Sequence, residues 1–364
     1  MLRPREAVLT LKEYHPPLGG RVGLRMDFNE NTAGCSPRVL QKLREIGPDL
    51  LAKYPEREPV EAIVAEFLGI NATQLLLTNG VDEAIHLLCQ AFVEAGEEVL
   101  IAVPTFSMYE VYASAAGARV VTVQADDDFA FPLERLLQAI TARTKLIAIA
   151  NPNNPTGTAV KPATLLRIAE AAPHAAVLVD EAYFEFHGQS FLPQMQTYEN
   201  VFIARTFSKA YGLAGLRVGV LAGAPEPMRM VRCVSSPYNV NAIALAALPE
   251  ALGDREYVVN YVQQVQQGRE RLQCELRDLG VQYWPSEANF VLARFGVLRK
   301  AFVAAMRERG VLVRDRNSDP GCEGCVRITA GTVEQMELVI AAVRSSLEVA
   351  RKQGAGEMIM AVQQ

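Results

Sequence analysis

An apolar run, VFIARTFSKAYG, ends in Lys209, with Ser208 before it and small residues after it. An ammonium delivered to the end of a buried strand is costly unless it has partners. Two employments explain it: an ion pair, or a nucleophilic amine that forms a Schiff base with a carbonyl. A second apolar run, AAVLVDEAY, ends in Asp180, and Tyr183 follows shortly after. If both runs are strands of one sheet, an amine, a carboxylate and a phenol arrive at the same edge.

That trio fits the needs of pyridoxal phosphate. Its aldehyde takes a lysine, and its pyridine nitrogen takes an anion that keeps the ring protonated as an electron sink. Its ring hydroxyl is served by a phenol. Lys209, Asp180 and Tyr183 supply these in turn. The phosphate needs a cradle, and Gly80, Val81 and Asp82 open a helix whose unpaired N–H groups and dipole favour an anion. Ser208 adds a hydroxyl and Arg217 a forked guanidinium suited to phosphate oxygens. Taken alone, Gly80 reads as an ordinary turn and Arg217 as a surface ion pair, although the small apolar neighbours of Arg217 argue against the second. In NPNNPTG the prolines and glycine fix the backbone, so Asn154 is presented rigidly to a ring oxygen; by itself such a string is a turn. Tyr109, in PTFSMYEVY, reads either as a core residue or as a flat platform for the ring.

These residues need a scaffold, and the chain describes one. TQLLLTNG is followed by a helix beginning near Val81, with Ala84, Leu87, Leu88 and Ala91 on one stripe. EEVLIAVPT, TKLIAIANPNNPTG, AAVLVDEAY and VFIARTFSKAYG are further apolar runs separated by helical stretches. Continuous apolar strands alternating with helices mean a mostly parallel sheet covered on both faces. Ligands of such sheets bind beyond the carboxyl ends of the strands, where the polar strings fall. After about Ala242 the pattern changes to a long helical stretch from Glu250 to Leu279. A strand NFVLARF, a helix over Leu298–Arg309, GVLVRD, VRIT and a terminal helix follow it. The expected fold is α/β, with a large domain over 30–240. A smaller α+β domain is built from 1–29 and 241–364.

Half of the 364 residues are hydrophobic, and net charge is −5 with Lys and Arg dispersed, which leaves no basic footprint for nucleic acid. The start, MLRPREAVLTLKEY, lacks the apolar core of a signal peptide. Runs such as VLIAV are too short to span a bilayer. Both point to a cytoplasmic protein. No GxGxxG follows a strand, and no GxxxxGK[ST] is present. Cys322 and Cys325 form the one CxxC; without a second pair of ligands it reads as two loop cysteines rather than a metal site.

The ordered set NGVDE, PTFSMY, NPNNPTG, VDEAY, SKAYGLAGLRVG and VRITAGT resembles the fold-type I, class I/II aminotransferases, and among them most the histidinol-phosphate aminotransferases. The resemblance covers nearly the whole chain. It implies that Lys209 carries pyridoxal 5'-phosphate as a Schiff base and moves the proton at the substrate Cα. It implies Asp180 at the pyridine nitrogen, Asn154 and Tyr183 at the ring hydroxyl, and Tyr109 stacked on the ring. Gly80, Val81, Asp82, Thr206, Ser208 and Arg217 would hold the phosphate, and Val81 stands where Ser or Ala is frequent. Arg327 of VRIT would grip the substrate carboxylate. Tyr14, Arg314 and Asn239 resemble residues of the side-chain pocket, with Arg314 the cation for a substrate phosphate. Tyr54, in KYPER, would reach the cofactor phosphate of a second subunit, which implies a homodimer with shared sites.

The activity so implied is ping-pong amino transfer between an amino donor and a 2-oxo acid. In its sharpest form, histidinol phosphate and 2-oxoglutarate give imidazole-acetol phosphate and glutamate. Aromatic amino acid transamination and decarboxylation of a threonine phosphate are the competing chemistries. A sensor domain of a transcription regulator is a third reading, set aside because barely thirty residues precede the first family motif.

Overall fold

The structure is a computed structural model that describes residues 2–9, 11, 13 and 20–362, with side chains as far as Gly354. Twelve strands occur among the described residues. They are β1 (Leu24–Met26), β2 (Leu75–Thr78), β3 (Glu98–Val103), β4 (Arg119–Gln124), β5 (Thr144–Ala150), β6 (Ala176–Asp180), β7 (Val201–Thr206), β8 (Gly219–Gly223), β9 (Gln282–Tyr283), β10 (Phe290–Arg294), β11 (Val311–Asp315) and β12 (Cys325–Thr329).

Seven of them form one sheet in the order β2-β8-β7-β6-β5-β3-β4. Its central strands β3, β5, β6 and β7 alternate between two cores. Val99, Ile101, Leu146, Ala148, Leu178 and Phe202 face the side of the helix Gly80–Phe92. Leu100, Ile147, Ile149, Val177, Val179 and Ile203 face the side of the helix Pro162–Ala171. The period of two sends successive side chains to opposite faces, and helices on both faces make every position apolar. This is why the runs read as uninterrupted hydrophobic sequence.

The sheet contains two strands beyond the five apolar runs. β4 is an edge strand with half-exposed valines, so its sequence, RVVTVQ, lacks a continuous apolar signature. β8 is short, begins and ends in glycine, and runs antiparallel to both β2 and β7. Its first residue, Gly219, pairs with Thr78 on one side and Thr206 on the other. A Cβ there would lie 2.9 Å from the Arg205 carbonyl oxygen and 3.0 Å from the Gly80 carbonyl carbon, so the close approach depends on glycine.

The second sheet has the order β1-β11-β12-β10-β9. β1, from the N-terminal segment, lies parallel to β11. Met26, Val291, Val326 and Ile328 pack there against the terminal helix through Met336, Val339 and Val343. The single helix expected over Glu250–Leu279 is instead two, Ala242–Gly253 and Arg255–Asp278, because Asp254 leaves the helical region at φ −98, ψ 62. Among the described residues no helix is long and apolar enough to cross a membrane.

Candidate active site

Where β2, β5, β6 and β7 end, a cavity of about 290 Å³ opens between the two sheets. Val81, Asp82, Asn154, Asp180, Tyr183, Thr206, Ser208, Lys209, Arg217, Arg314 and Arg327 all line it. These residues come from seven separate stretches of sequence, and the strand ends bring them together.

Lys209 sits just past β7, and its Nζ donates to the Phe28 carbonyl at 3.1 Å. Burial lowers its pKa to about 8; nearby Arg327 and Arg217 push the same way, while Glu30 and Asp82 oppose them. A neutral amine is therefore within reach near physiological pH. Asp180, the last residue of β6, is buried, and burial pushes its pKa up to about 6. Two hydrogen bonds oppose that shift: Oδ2 accepts from the Tyr109 hydroxyl at 2.6 Å and Oδ1 from the Ala182 N–H at 3.0 Å. The Tyr183 hydroxyl accepts from Asn29 Nδ2 at 3.0 Å. Asn29 itself lies at φ 54, a left-handed conformation that Asn tolerates better than most residues.

One end of the cavity is made for an oxyanion. The Ser208 hydroxyl is buried without a partner. Arg217, held at φ 54, extends Nη2 to Asp82 Oδ2 at 3.0 Å, and a Cβ on Gly80 would fall 2.7 Å from that same nitrogen. The missing Cβ leaves the room that the guanidinium occupies beside the first turn of the helix Gly80–Phe92. An orphaned hydroxyl, a guanidinium and a helix start fit a phosphate. Asp82, being an anion, suits it through its backbone N–H alone.

Three guanidiniums form the opposite wall. Arg314 and Arg327 are direct cross-strand partners on β11 and β12. Arg316 follows just beyond β11, and its backbone N–H continues the pairing to the Cys325 carbonyl at 3.0 Å. Arg327 is buried; its Nη1 donates to Asn154 Oδ1 at 2.5 Å and its Nη2 to the Asp27 carbonyl at 2.7 Å. Burial, with Arg316 and Arg314 close by, lowers its pKa to about 9. Arg327 Nε, Arg314 Nη1 and Arg316 Nε are all buried without a protein partner. A buried donor left unpaired costs about 1–3 kcal/mol. Three of them on one cavity wall mark a site built for an anion.

Not every residue read from the sequence reaches the cavity in the expected way. Tyr109 does not line it: its ring is buried, its hydroxyl is bonded to Asp180, and it meets Phe106 edge-on at 5.7 Å. Phe106, from the same string, lines the cavity instead. Asn239 is also elsewhere, with Oδ1 accepting from Arg57 at 2.6 Å and Nδ2 donating to the Leu77 carbonyl and to Glu83. That network knits the chain behind β2 and leaves no amide atom for a ligand. Tyr54 is exposed, 4.5 Å from Tyr238 in a stacked pair. Tyr14 lies outside the described residues. Cys322 and Cys325 are buried and unbridged. Among the described residues no group of three or more His, Cys, Asp or Glu could hold a metal.

Phe106, Phe28, Asn29 and Arg316 line or support the site without having been singled out. Phe106 stands in the same PTFSMY string as Tyr109. Arg316 carries a legible signal, because a residue two positions from Arg314 in VLVRDR faces the same side. Asp315 between them faces the other way and pairs with Arg299.

The sequence profile of the family aminotransferase class I and II matches residues 22–343. The histidinol-phosphate aminotransferase of Geobacillus sp. (strain WCH70) is 37% identical over 354 residues, spanning 95% of this chain and 96% of that protein. That of Caldanaerobacter subterraneus subsp. tengcongensis is 36% identical over 330 residues, spanning 89% and 93%. Among solved structures, the histidinol-phosphate aminotransferase of Sinorhizobium meliloti in complex with pyridoxal-5'-phosphate superposes with a TM-score of 0.87. It shows 28% identity and covers 96% of this chain and 98% of that one.

Proposed function

The chain belongs to the class I and II aminotransferases, pyridoxal-phosphate enzymes of fold type I, and on that footing we propose that it transaminates histidinol phosphate with 2-oxoglutarate. The observation that carries the substrate is the arginine wall. Three buried N–H donors without partners, on Arg314, Arg316 and Arg327, await an anionic substrate. Proteins 36–37% identical to this chain bear the name of that activity.

When bound, pyridoxal phosphate supplies a ring that accepts the electron pair left at the substrate Cα. The rest is the work of this chain's residues. Ser208, Thr206, Arg217 and the N–H groups of Gly80, Val81 and Asp82 hold the cofactor phosphate. Phe106 would lie beside the ring, and Tyr183 and Asn154 would serve its hydroxyl. Asp180, whose ionised form is favoured by Tyr109 and the Ala182 N–H, would be the anion for the ring nitrogen. Lys209 Nζ, with its lowered pKa, takes and returns the proton at the substrate Cα. Arg327 and Arg314 fix the anionic end, so the Cα–H bond is oriented before it breaks. Tyr14 is assigned to the side-chain pocket by resemblance alone.

The active species in this proposal is a cytoplasmic homodimer, in which Tyr54 completes the phosphate site of the other subunit. The exposure of Tyr54 supports that reading.

A half-reaction screen tests the substrate. The cofactor spectrum of the purified enzyme is followed as histidinol phosphate, phenylalanine, tyrosine and threonine phosphate are added in turn, with carbon dioxide release measured alongside. Histidinol phosphate should react fastest and release no carbon dioxide. Faster reaction of an aromatic amino acid, or decarboxylation, overturns the assignment.

A further inference from the structure

A ping-pong enzyme receives both of its substrates in one pocket. The proposed pair, on which this inference rests, differs in the placement of charge: one brings a compact phosphate, the other two carboxylates separated by a carbon chain. The arginine wall has matching geometry. Arg314 and Arg327 are side by side across β11 and β12, and both line the cavity. Arg316 stands two residues further along the same ladder, a step of roughly 7 Å. That is the scale on which a five-carbon diacid separates its ends. The Arg316 side chain is 14% exposed and lines the cavity; its Nη2 is ion-paired to Asp319, and Nε on the same edge is buried without a hydrogen-bond partner.

We propose that Arg316 is the specificity-determining residue for the dicarboxylate partner: with Arg327 on the first carboxylate, Arg316 takes the distal one. Asp319 holds the guanidinium in place through its Nε/Nη2 edge and leaves Nη1 for the ligand. A side chain already fixed by an ion pair has fewer rotamers to lose on binding. Of the charged groups on this wall, Asp319 is the anion that faces Arg316, while Arg314 and Arg327 are its like-charged neighbours. The wall therefore keeps an excess of positive charge for a dianion.

The test compares a diacid with a monoacid on the holoenzyme. In single-turnover measurements with the aminated cofactor form, Arg316→Gln should lower the efficiency toward 2-oxoglutarate by about 10-fold to 100-fold, as for loss of one charged hydrogen bond. Efficiency toward pyruvate should fall by a much smaller factor. Calorimetry provides a reading without turnover: glutarate should bind the variant more weakly by a similar factor, and butyrate binding should change far less. Arg316→Lys, which keeps the charge and guards against a misfolded Gln variant, should recover part of the discrimination. Equal losses for the two oxo acids, or unaltered glutarate binding, overturn the proposal. A wild-type enzyme that ignores histidinol phosphate would end the substrate assignment above, while the diacid-to-monoacid ratio would still decide the role of Arg316.

Discussion

The Tyr109 hydroxyl donates to Asp180 Oδ2 at 2.6 Å from a position fully inside the protein. Burial raises the Asp180 pKa and this bond lowers it. In Tyr109→Phe the carboxyl loses one of two restraints, so its pKa rises further and more of it is protonated as pH falls. The expected result is a kcat reduced about 10-fold, with the deficit growing toward acid and shrinking toward base. Profiles of kcat against pH for both proteins measure it. A mutant-to-wild-type ratio that is flat with pH would remove Tyr109 from this role. Asp180→Ala should be more severe, on the order of 10²–10³ in kcat, as when an electrostatic stabiliser is deleted.

Lys209 should be the residue fixed to the cofactor by borohydride, and Lys209→Ala should hold pyridoxal phosphate through the cradle with almost no turnover. The lowered pKa adds a pH signature. The neutral amine is the attacking form, so covalent uptake of cofactor by apoenzyme should quicken as pH rises and level off above about 8, where an ordinary lysine would keep rising to beyond 10. Label on a different lysine, or uptake still accelerating far above that plateau, would contradict the assignment.

Gly80→Ala places a Cβ 2.7 Å from Arg217 Nη2 on a residue at φ +76. The guanidinium must move and the backbone is strained. Cofactor affinity should fall roughly tenfold or more, since one charged phosphate contact is displaced. Equilibrium dialysis against pyridoxal phosphate reads this directly, and an unchanged affinity would take Gly80 and Arg217 out of the cradle.

Arg314→Ala should depress kcat/KM for histidinol phosphate by about 10-fold to 150-fold and affect aromatic amino acids far less. Arg327→Ala should hurt every substrate, because its guanidinium is fixed at the centre of the wall by Asn154 and Asp27. Similar damage from Arg314→Ala with phenylalanine and histidinol phosphate would show that Arg314 does not select for phosphate.

The dimer can be tested by complementation. Chains carrying Lys209→Ala, mixed and refolded with chains carrying Tyr54→Ala, should regain partial activity if Tyr54 serves the other subunit's site. Full wild-type activity in a species that light scattering reports as a monomer would exclude shared sites.

How far the sequence revealed this site depended on what each residue needs. Lys209, Asp180 and Asn154 are strand-end residues, and strand ends are legible because uninterrupted apolar runs stop there. Arg217 was legible through its glycine- and leucine-rich surroundings. Tyr109 and Phe106 could not be told apart, since both are aromatic, lie within one turn and are compatible with burial. Only the direction of each ring separates cavity wall from core. Asn239 read as a pocket residue by resemblance, but its amide is fully engaged by Arg57, Leu77 and Glu83, long-range contacts that no local pattern encodes. β8 escaped notice because five residues bracketed by glycine carry little periodicity, and because its antiparallel direction is set by its neighbours.

That strand also governs when the site comes into being. Gly219 pairs with both the Thr78 and Thr206 ends, so the ledge bearing Gly80 and the ledge bearing Lys209 are joined through the sheet once β8 has slotted between β2 and β7. The β2–β8 contacts are distant along the chain, unlike those of β7 with β8, and non-local strand pairing is a slow event in folding. A refolding chain therefore offers no competent phosphate cradle until late. Pyridoxal phosphate added at the start should leave the rate of regain of structure as it was and act only by draining the finished state, raising its final yield and its resistance to unfolding by mass action.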